Sequence, residues 1–170
     1  MSETVHLKGA VISLAGPELR VGDRAPEAAV VMKDLKEKYA GGIKSRRQLL
    51  ITIPSLDTPV CEMETKKFNE MLAKYNDVDI TIVSMDLPFA QAKFCESYNI
   101  KNIDVASDFR YGDLEKYGML ISEGPLKGLL ARAVFIIDDI GKVIYKQLVS
   151  EISDEPDYKD VLKELNKEGK

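Results

Sequence analysis

The sequence has few of the side chains on which hydrolytic and metal-dependent enzymes rely. Its 170 residues include one histidine, two cysteines and no tryptophan. A Ser-His-Asp or Cys-His centre needs a positioned imidazole, and the one candidate, His6, lies in an apolar, strand-like stretch near the N-terminus. Two well-separated cysteines and one histidine are also a poor ligand set for zinc. We therefore expect His6 to be structural or to lie at the surface, and we expect no metal site.

Further absences narrow the class of protein. No apolar run approaches the roughly 20 residues of a membrane-spanning helix, and the first residues lack the basic and apolar regions of a secretory signal. The glycine motifs of nucleotide-binding loops and the Cys-x-x-Cys-His motif of haem attachment are missing. The net charge is −4, and basic residues cluster only at Lys44, Arg46 and Arg47, which argues against a nucleic acid partner. These absences predict a cytoplasmic protein that binds no nucleic acid, does not associate with a membrane and works without a bound cofactor.

Length and composition predict one folded domain. Charged residues make up 31% of the chain and hydrophobic residues 45%, a balance that excludes disorder. A chain of this length buries about two-thirds of its unfolded surface, so its core needs no disulfide or metal. The sequence contains no internal repeat, low-complexity tract or linker-like stretch. We therefore expect residues 1–170 to form a single domain.

The hydrophobic pattern predicts strands that alternate with helices. The predicted strands lie at 5–8, 10–14, 28–32, 48–53, 79–85, 105–107, 131–138 and 142–149. The predicted helices lie at 60–75, 88–98, 111–117 and from about residue 156 onward. This order predicts an α/β protein whose mixed sheet is flanked by helices on both faces. It is compatible with a thioredoxin-like fold that carries an N-terminal β-hairpin extension, although order alone leaves other α/β folds open.

The segment from Pro54 to Cys61 joins the end of a predicted strand to the start of a helix, where α/β sheets commonly bind ligands. If Thr58 is the N-cap and Pro59 the first helical residue, Cys61 takes the third helical position. Its sulfur would then lie beside amides without helical acceptors, which favours thiolate over thiol. The helix terminus supplies only about 1 kcal/mol of the roughly 3.4 kcal/mol that nearly full ionisation requires, and nearby glutamates, Glu64 among them, oppose it. We therefore expect a cation from elsewhere in the chain beside Cys61.

The second cysteine, Cys95, lies on the next predicted helix. Neither cysteine belongs to a Cys-x-x-Cys motif, which disfavours a dithiol shuttle of the thioredoxin type. A reactive thiolate with a distant second thiol is typical of oxidation to a sulfenic acid, followed by capture of that sulfur by a resolving cysteine. From the residues alone, an inert, buried Cys61 remains an alternative.

Several longer motifs accompany the two cysteines. Residues 54–61 fit the pattern Pro-x-x-x-Thr-x-x-Cys, and residues 86–95 read Asp-Leu-Pro-Phe-Ala-Gln-x-x-Phe-Cys. Residues 22–26 read Gly-Asp-x-Ala-Pro, and residues 124–134 read Gly-Pro-Leu-Lys-Gly-Leu-x-Ala-Arg-Ala-Val. Together these motifs resemble the peroxiredoxins, most closely their thiol peroxidase subfamily, over nearly the whole chain and in the expected order.

The resemblance implies roles for individual residues. Cys61 corresponds to the peroxidatic cysteine and Cys95 to the resolving cysteine. Thr58 would form hydrogen bonds with the peroxide and with the thiolate, and Pro54 would shield the sulfur from water.

The resemblance also supplies the expected cation. Arg132, within Ala-Arg-Ala-Val, matches the active-site arginine of the family, which is always charged and can donate both to the sulfur and to a peroxide oxygen. Without the resemblance, Arg132 would be interpreted as a solvated arginine at a strand end. Arg110 is a second candidate with weaker support.

The function implied by the resemblance is thiol-dependent reduction of hydrogen peroxide and alkyl hydroperoxides. The implied assembly is a homodimer whose disulfide stays within each chain, and the implied reductant is thioredoxin. Two other functions remain open: a redox sensor that forms the same disulfide with little turnover, and a structural or binding domain with two buried thiols.

Cys61 needs a closed pocket in which to meet peroxide, whereas a disulfide with Cys95 needs the two Cα atoms close together and the Cβ atoms directed at each other. One arrangement of the chain is not expected to meet both requirements. We therefore expect the first turn near Cys61, or the helix that carries Cys95, to unwind locally after oxidation.

Overall fold

The computed structural model describes residues 3–168, which form ten β-strands, three α-helices and one 3-10 helix. The strands are β1 (Thr4–Leu7), β2 (Ala10–Ala15), β3 (Ala28–Met32), β4 (Glu37–Ala40), β5 (Arg47–Thr52), β6 (Val78–Ser84), β7 (Asp104–Ser107), β8 (Leu120–Ile121), β9 (Ala133–Ile137) and β10 (Val143–Leu148). The helices are α1 (Pro59–Met71), α2 (Pro88–Tyr98), α3 (Tyr158–Glu168) and the 3-10 helix Asp113–Tyr117. The predicted extent of the domain includes residues 1–2 and 169–170, which lie outside the described residues.

Seven strands form a mixed sheet in the order β10-β9-β5-β6-β7-β3-β4, and three form a smaller sheet in the order β1-β2-β8. β6 pairs in parallel with β5 and with β7, whereas the other neighbours in the large sheet are antiparallel. Parallel pairs need crossover connections, and α1 and α2 provide them. Both helices that carry a cysteine therefore begin at the carboxyl ends of neighbouring parallel strands, β5 and β6. The predicted mixed sheet, flanked by helices and extended by an N-terminal hairpin, is confirmed.

The large sheet separates two hydrophobic clusters, because successive residues of a strand point to opposite faces. In β5, Leu49 and Ile51 belong to the cluster that the three α-helices cover. Leu50 belongs to the cluster covered by the N-terminal hairpin and the 3-10 helix. Phe68 of α1 is completely buried in the helical cluster, and burial of such a side chain contributes about 1.5–3 kcal/mol. Both cysteines also belong to the helical cluster.

The N-terminal hairpin turns at Lys8 and Gly9, whose φ values are 50° and 84°. Positive φ at both central residues is what the type I′ turn of a two-residue hairpin requires, and glycine adopts it without strain. His6 lies in β1, half-buried, with its Nδ1 3.5 Å from Ser150 Oγ. The sheet that holds His6 contributes to the cluster opposite the cysteines. This placement agrees with a structural rather than a catalytic histidine.

Helix α1 ends at Met71, earlier than the predicted end at residue 75. Leu72 terminates it with φ −98° and ψ 6°, and its N–H still donates to the Phe68 carbonyl oxygen at 3.0 Å. Leu72 is buried, and Tyr75 packs against the same cluster from the turn that follows. Apolar residues at helical spacing therefore continue past the helix, because the pattern reports burial and not backbone conformation.

Two short strands are missing from the sequence-based prediction. β4 contains the charged residues Glu37 and Lys38, so its strand conformation depends on antiparallel pairing with β3. β8 has only two residues, which pair with the end of β2. The last helix begins at Tyr158 rather than near Pro156.

Candidate active site

Cys61 occupies the third position of α1, where the loop from β5 leads into the helix. Thr58 is the N-cap residue, with φ −107° and ψ 147°, and Pro59 begins the helix. The Thr58 hydroxyl does not cap the helix but donates to the Ser55 carbonyl oxygen at 3.1 Å. The first amides of α1 are thus left without a side-chain acceptor. Cys61 is completely buried at this end of the helix, where the dipole favours a negative charge.

Arg132 provides a cation in direct contact with Cys61. It lies immediately before β9, is 2% exposed, and places Nη1 3.2 Å from Cys61 Sγ. Two further hydrogen bonds hold the guanidinium, from Nε at 3.1 Å and from Nη2 at 2.7 Å, both to the Ile152 carbonyl oxygen. Within residues 3–168, no other side chain donates a hydrogen bond to the Cys61 sulfur. The structure therefore joins the two sequence-predicted residues Cys61 and Arg132.

Glu64 belongs to the site, although the sequence predicted only that its charge would oppose ionisation of Cys61. Its side chain is completely buried, and its Oε1 accepts a hydrogen bond from Arg132 Nη1 at 2.7 Å. Burial raises the pKa of Glu64 to about 7, although the Arg132 guanidinium lowers it. Its other oxygen, Oε2, is buried and has no hydrogen-bond partner among the described residues. The position of Glu64 three residues after Cys61, on the same helical face, is the sequence signal that could have indicated it.

Thr58 and Pro54 lie near Cys61 in sequence but form no hydrogen bond with its sulfur. The hydrogen bond expected from Thr58 to the thiolate is not formed in this structure, because the hydroxyl donates to Ser55 instead. The Thr58 side chain is exposed, and its oxygen can still accept a hydrogen bond. Pro54 is buried at the start of the loop that leads to α1.

Arg110, the second candidate for the cation, makes a different contact. Its Nη1 lies 2.9 Å from Glu37 Oε2, and its side chain is 39% exposed. Hydrogen bonds from Tyr111 and from Arg110 lower the pKa of the Glu37 carboxyl. Arg110 therefore belongs to a surface ion pair and not to the surroundings of Cys61.

Cys95 lies in α2 and is buried, with 5% of its surface exposed. Burial raises the pKa of the Cys95 thiol, and the positive charge of Lys33 partly opposes this effect. Both cysteines are free thiols, and both pack in the helical cluster. The structure thus places two unlinked thiols on one side of the sheet.

The described part of the chain holds no group of three or more histidine, cysteine, aspartate or glutamate side chains arranged to bind a metal ion. None of the helices within residues 3–168 has the length and apolar character that crossing a membrane demands.

Comparison with known sequences gives a consistent picture. The family model for redoxins matches residues 20–162. A thiol peroxidase of Aquifex aeolicus is 66% identical, over 97% of this chain and 98% of its own length. A thiol peroxidase of Campylobacter jejuni is 48% identical, over 90% of this chain and 87% of its own length.

Comparison with solved structures supports the fold. A peroxiredoxin-like protein from Aquifex aeolicus superposes with a TM-score of 0.96 at 65% identity, covering 98% of each chain. A thiol peroxidase from Chromobacterium violaceum superposes with a TM-score of 0.87 over 99% of this chain and 98% of its own. Because the second pair shares only 22% of its residues, that likeness concerns the fold alone. The predicted thioredoxin-like fold class is confirmed.

Proposed function

The chain belongs to the redoxin family, in the thiol peroxidase branch of the peroxiredoxins, and we propose that it reduces hydrogen peroxide and alkyl hydroperoxides through Cys61. The observation that carries this proposal is the 3.2 Å contact between Arg132 Nη1 and Cys61 Sγ at the first turn of α1. A buried thiol beside a fixed guanidinium and a helix N-terminus has the surroundings that stabilise a thiolate. The thiolate is the form of cysteine that attacks a peroxide.

In the peroxide step, the Cys61 thiolate attacks one oxygen of the hydroperoxide. A sulfur–oxygen bond forms, the oxygen–oxygen bond breaks, and its electron pair leaves with the second oxygen, which takes up a proton to become water or an alcohol. Cys61 becomes a sulfenic acid. Negative charge moves from the sulfur to the leaving oxygen, so fixed donors near both atoms lower the barrier.

The hydrogen-bond inventory of Arg132 fits this task. A guanidinium has five N–H groups, and the contacts to Cys61, to Glu64 and to the Ile152 carbonyl oxygen use four of them. One N–H of Nη2 has no acceptor in the described part of the chain, so it is available to a peroxide oxygen. The Thr58 hydroxyl donates to Ser55 and keeps lone pairs that can accept the O–H of the peroxide. We assign Pro54, buried at the start of the same loop, to the exclusion of water.

In the resolving step, the Cys95 sulfur attacks the sulfenic acid of Cys61. A disulfide bond forms, the sulfur–oxygen bond breaks, and the oxygen leaves as water with the proton of the thiol. A dithiol reductant of the thioredoxin class then reduces the disulfide by thiol–disulfide exchange. The opening of the first turn of α1, or of α2, allows the two sulfurs to meet.

The proposed organisation follows the same resemblance. The chain would act as a single domain in a cytoplasmic homodimer, with the disulfide inside each protomer. Exposed apolar side chains support an association between copies. Leu87 and Phe89, at the start of α2, are 52% and 65% exposed, and Phe109 and Tyr111, after β7, are 40% and 54% exposed. Large apolar side chains that remain exposed occur in interaction surfaces.

The test is steady-state consumption of hydrogen peroxide in the presence of thioredoxin, thioredoxin reductase and NADPH. We expect wild-type protein to turn over and Cys61→Ser to lose turnover entirely. Arg20→Lys, which alters an arginine of an exposed ion pair with Glu18, is the matched control and keeps the wild-type rate. Turnover by Cys61→Ser would contradict the proposal. A wild-type protein that forms the disulfide but does not turn over would identify a redox sensor instead.

A further inference from the structure

A chain of hydrogen bonds runs from the loop before Cys61 to the strand that precedes the helix of Cys95. Its centre is Asp86, which lies between β6 and α2. Asp86 Oδ1 accepts from Ser55 Oγ at 2.7 Å, and Asp86 Oδ2 accepts from the Leu56 N–H and from Ser84 Oγ, each at 2.7 Å. Thr58, the N-cap of α1, joins this chain through its hydrogen bonds to the Ser55 carbonyl oxygen. One carboxylate therefore holds the loop that ends in the first turn of α1.

The chain continues from Ser84 into α2. Gln91 Nε2 donates to Ser84 Oγ at 3.1 Å and to the Ala106 carbonyl oxygen at 2.7 Å. Gln91 is completely buried and precedes Cys95 by four residues, one helical turn, so both side chains lie on the same face of α2. Gln91 Oε1 is buried and has no hydrogen-bond partner in the described residues. The Gln91 side chain therefore takes part in the chain of hydrogen bonds through its amide nitrogen alone.

Beside these hydrogen bonds, the loop before Cys61 and α2 face each other across an open pocket. A cavity of about 320 Å³ lies between them, and its walls include Leu56, Asp57, Asp86, Phe94 and Tyr98. Asp86 lines this cavity, so its hydrogen bonds and those of Ser84 connect the two elements beside it.

We propose that Asp86 is a positioning residue that holds the Cys61 loop and the Cys95 helix in the closed arrangement and thereby sets how the Cys61 sulfenic acid divides between two fates. This inference rests on the proposed function. In the first fate, an element opens and Cys95 forms the disulfide with loss of water. In the second, the closed site admits another peroxide molecule, which transfers an oxygen to the sulfenic sulfur to give a sulfinic acid and is itself reduced to water or an alcohol. Hydrogen bonds that exist only in the closed arrangement slow the first fate and favour the second.

The experiment follows one oxidation cycle by rapid quenching and intact mass analysis of wild-type protein, Asp86→Asn and Ser84→Ala. Asp86→Asn keeps the shape of the side chain but removes its charge and an acceptor. Ser84→Ala removes the hydroxyl that connects Asp86 with Gln91 in the chain of hydrogen bonds. We expect disulfide formation to accelerate about tenfold in both variants, equivalent to about 1.4 kcal/mol. The second-order rate constant for the peroxide step should change less than threefold, and the sulfinic acid formed at high peroxide should fall by a similar tenfold factor.

A matched control is Asp138→Asn. Like Asp86, Asp138 accepts hydrogen bonds through its carboxylate, in this case from the backbone N–H groups of Ile140 and Lys142, but it lies in the turn between β9 and β10. It should leave both steps unchanged. A variant that merely damaged the fold would slow the peroxide step, whereas the loss of a link between the two elements accelerates the disulfide step alone. The double variant Ser55→Ala/Ser84→Ala should be less than additive, because both hydroxyls act through the same carboxylate.

The outcomes separate this inference from the proposed function. If the wild-type protein forms the disulfide but Asp86→Asn and Ser84→Ala resolve at the wild-type rate, the role of Asp86 is wrong and the peroxidase proposal stands. If the wild-type protein forms no disulfide after oxidation of Cys61, the proposed resolving step fails, and the inference about Asp86 fails with it.

Discussion

Glu64 Oε1 lies 2.7 Å from Arg132 Nη1, with both side chains buried. The same nitrogen contacts Cys61 Sγ, so a carboxylate and a sulfur share one guanidinium nitrogen. Breaking such a buried pair by removing one partner leaves an uncompensated polar group, which is far more costly than the loss of a surface ion pair. The pair therefore fixes where the positive charge beside Cys61 lies.

The contribution of Arg132 is tested by two substitutions. Arg132→Lys keeps the charge but loses the planar, multi-point donor, so the second-order rate constant with hydrogen peroxide should fall at least tenfold, or about 1.4 kcal/mol of transition-state stabilisation. Arg132→Met should slow the reaction further, because it also removes the positive charge beside Cys61. Stopped-flow mixing with a limiting amount of peroxide measures the second-order rate constant of each variant. Rates equal to those of the surface variant Arg20→Lys would remove Arg132 from the site.

The raised pKa of Glu64 predicts a pH-dependent stability. Because its pKa in the folded protein is about 7 and its ordinary value is 4.5, the folded state retains a proton that the unfolded chain has released between these values. The stability from this group is therefore complete below about pH 4.5 and is lost as the pH rises towards about 7, by at most about 3 kcal/mol. Urea unfolding at several pH values measures it.

The matched variant is Glu64→Gln, which keeps an acceptor for Arg132 but does not titrate. Burial also raises the pKa of Asp108 to about 6, which adds a similar slope to wild type and variant alike. The difference between the two stability curves therefore isolates Glu64. Parallel curves from pH 4 to pH 8 would show that the pKa of Glu64 is the same in the folded and the unfolded protein, and would contradict the raised value.

Local opening predicts a difference in amide exchange between the reduced and oxidised forms. A disulfide between Cys61 and Cys95 requires Cα atoms within about 4.4–6.8 Å, and the two free thiols lie on separate helices. We therefore expect one of the two helices to give up native structure. Exchange should be faster in the oxidised form over residues 58–64 or 88–98, while the completely buried strand β9 remains protected in both forms. Identical exchange in the two forms would contradict local opening.

The parts of the site that were predictable are those encoded locally. The position of Cys61 follows from Thr58 and Pro59, which are residue types typical of the N-cap and of the first helical position. Arg132 lies 71 residues after Cys61 in the sequence, and only a family motif connects the two residues. Local chemistry predicted that a cation is needed there but did not indicate which one.

Glu64 and Asp86 show why the remainder could not be predicted. A glutamate at a helix start is ordinarily a solvated residue, and only the packing of α1 against the large sheet makes Glu64 a buried partner of Arg132. Asp86 can accept hydrogen bonds from the loop after β5 only because β5 and β6 are parallel neighbours, which brings the loops at their carboxyl ends together. The same dependence on pairing explains the missed strands β4 and β8.

The most direct test of the account is the identity of the oxidised sulfur. Cys95→Ser is mixed with one equivalent of hydrogen peroxide, quenched with a reagent that traps sulfenic acids, digested and analysed by mass spectrometry. We predict that one equivalent of peroxide is consumed and that the trapped sulfenic acid is found at Cys61, while Cys61→Ser treated in the same way consumes almost none. Equal consumption of peroxide by Cys61→Ser, with the modification at Cys95, would contradict the assignment of Cys61 as the attacking sulfur.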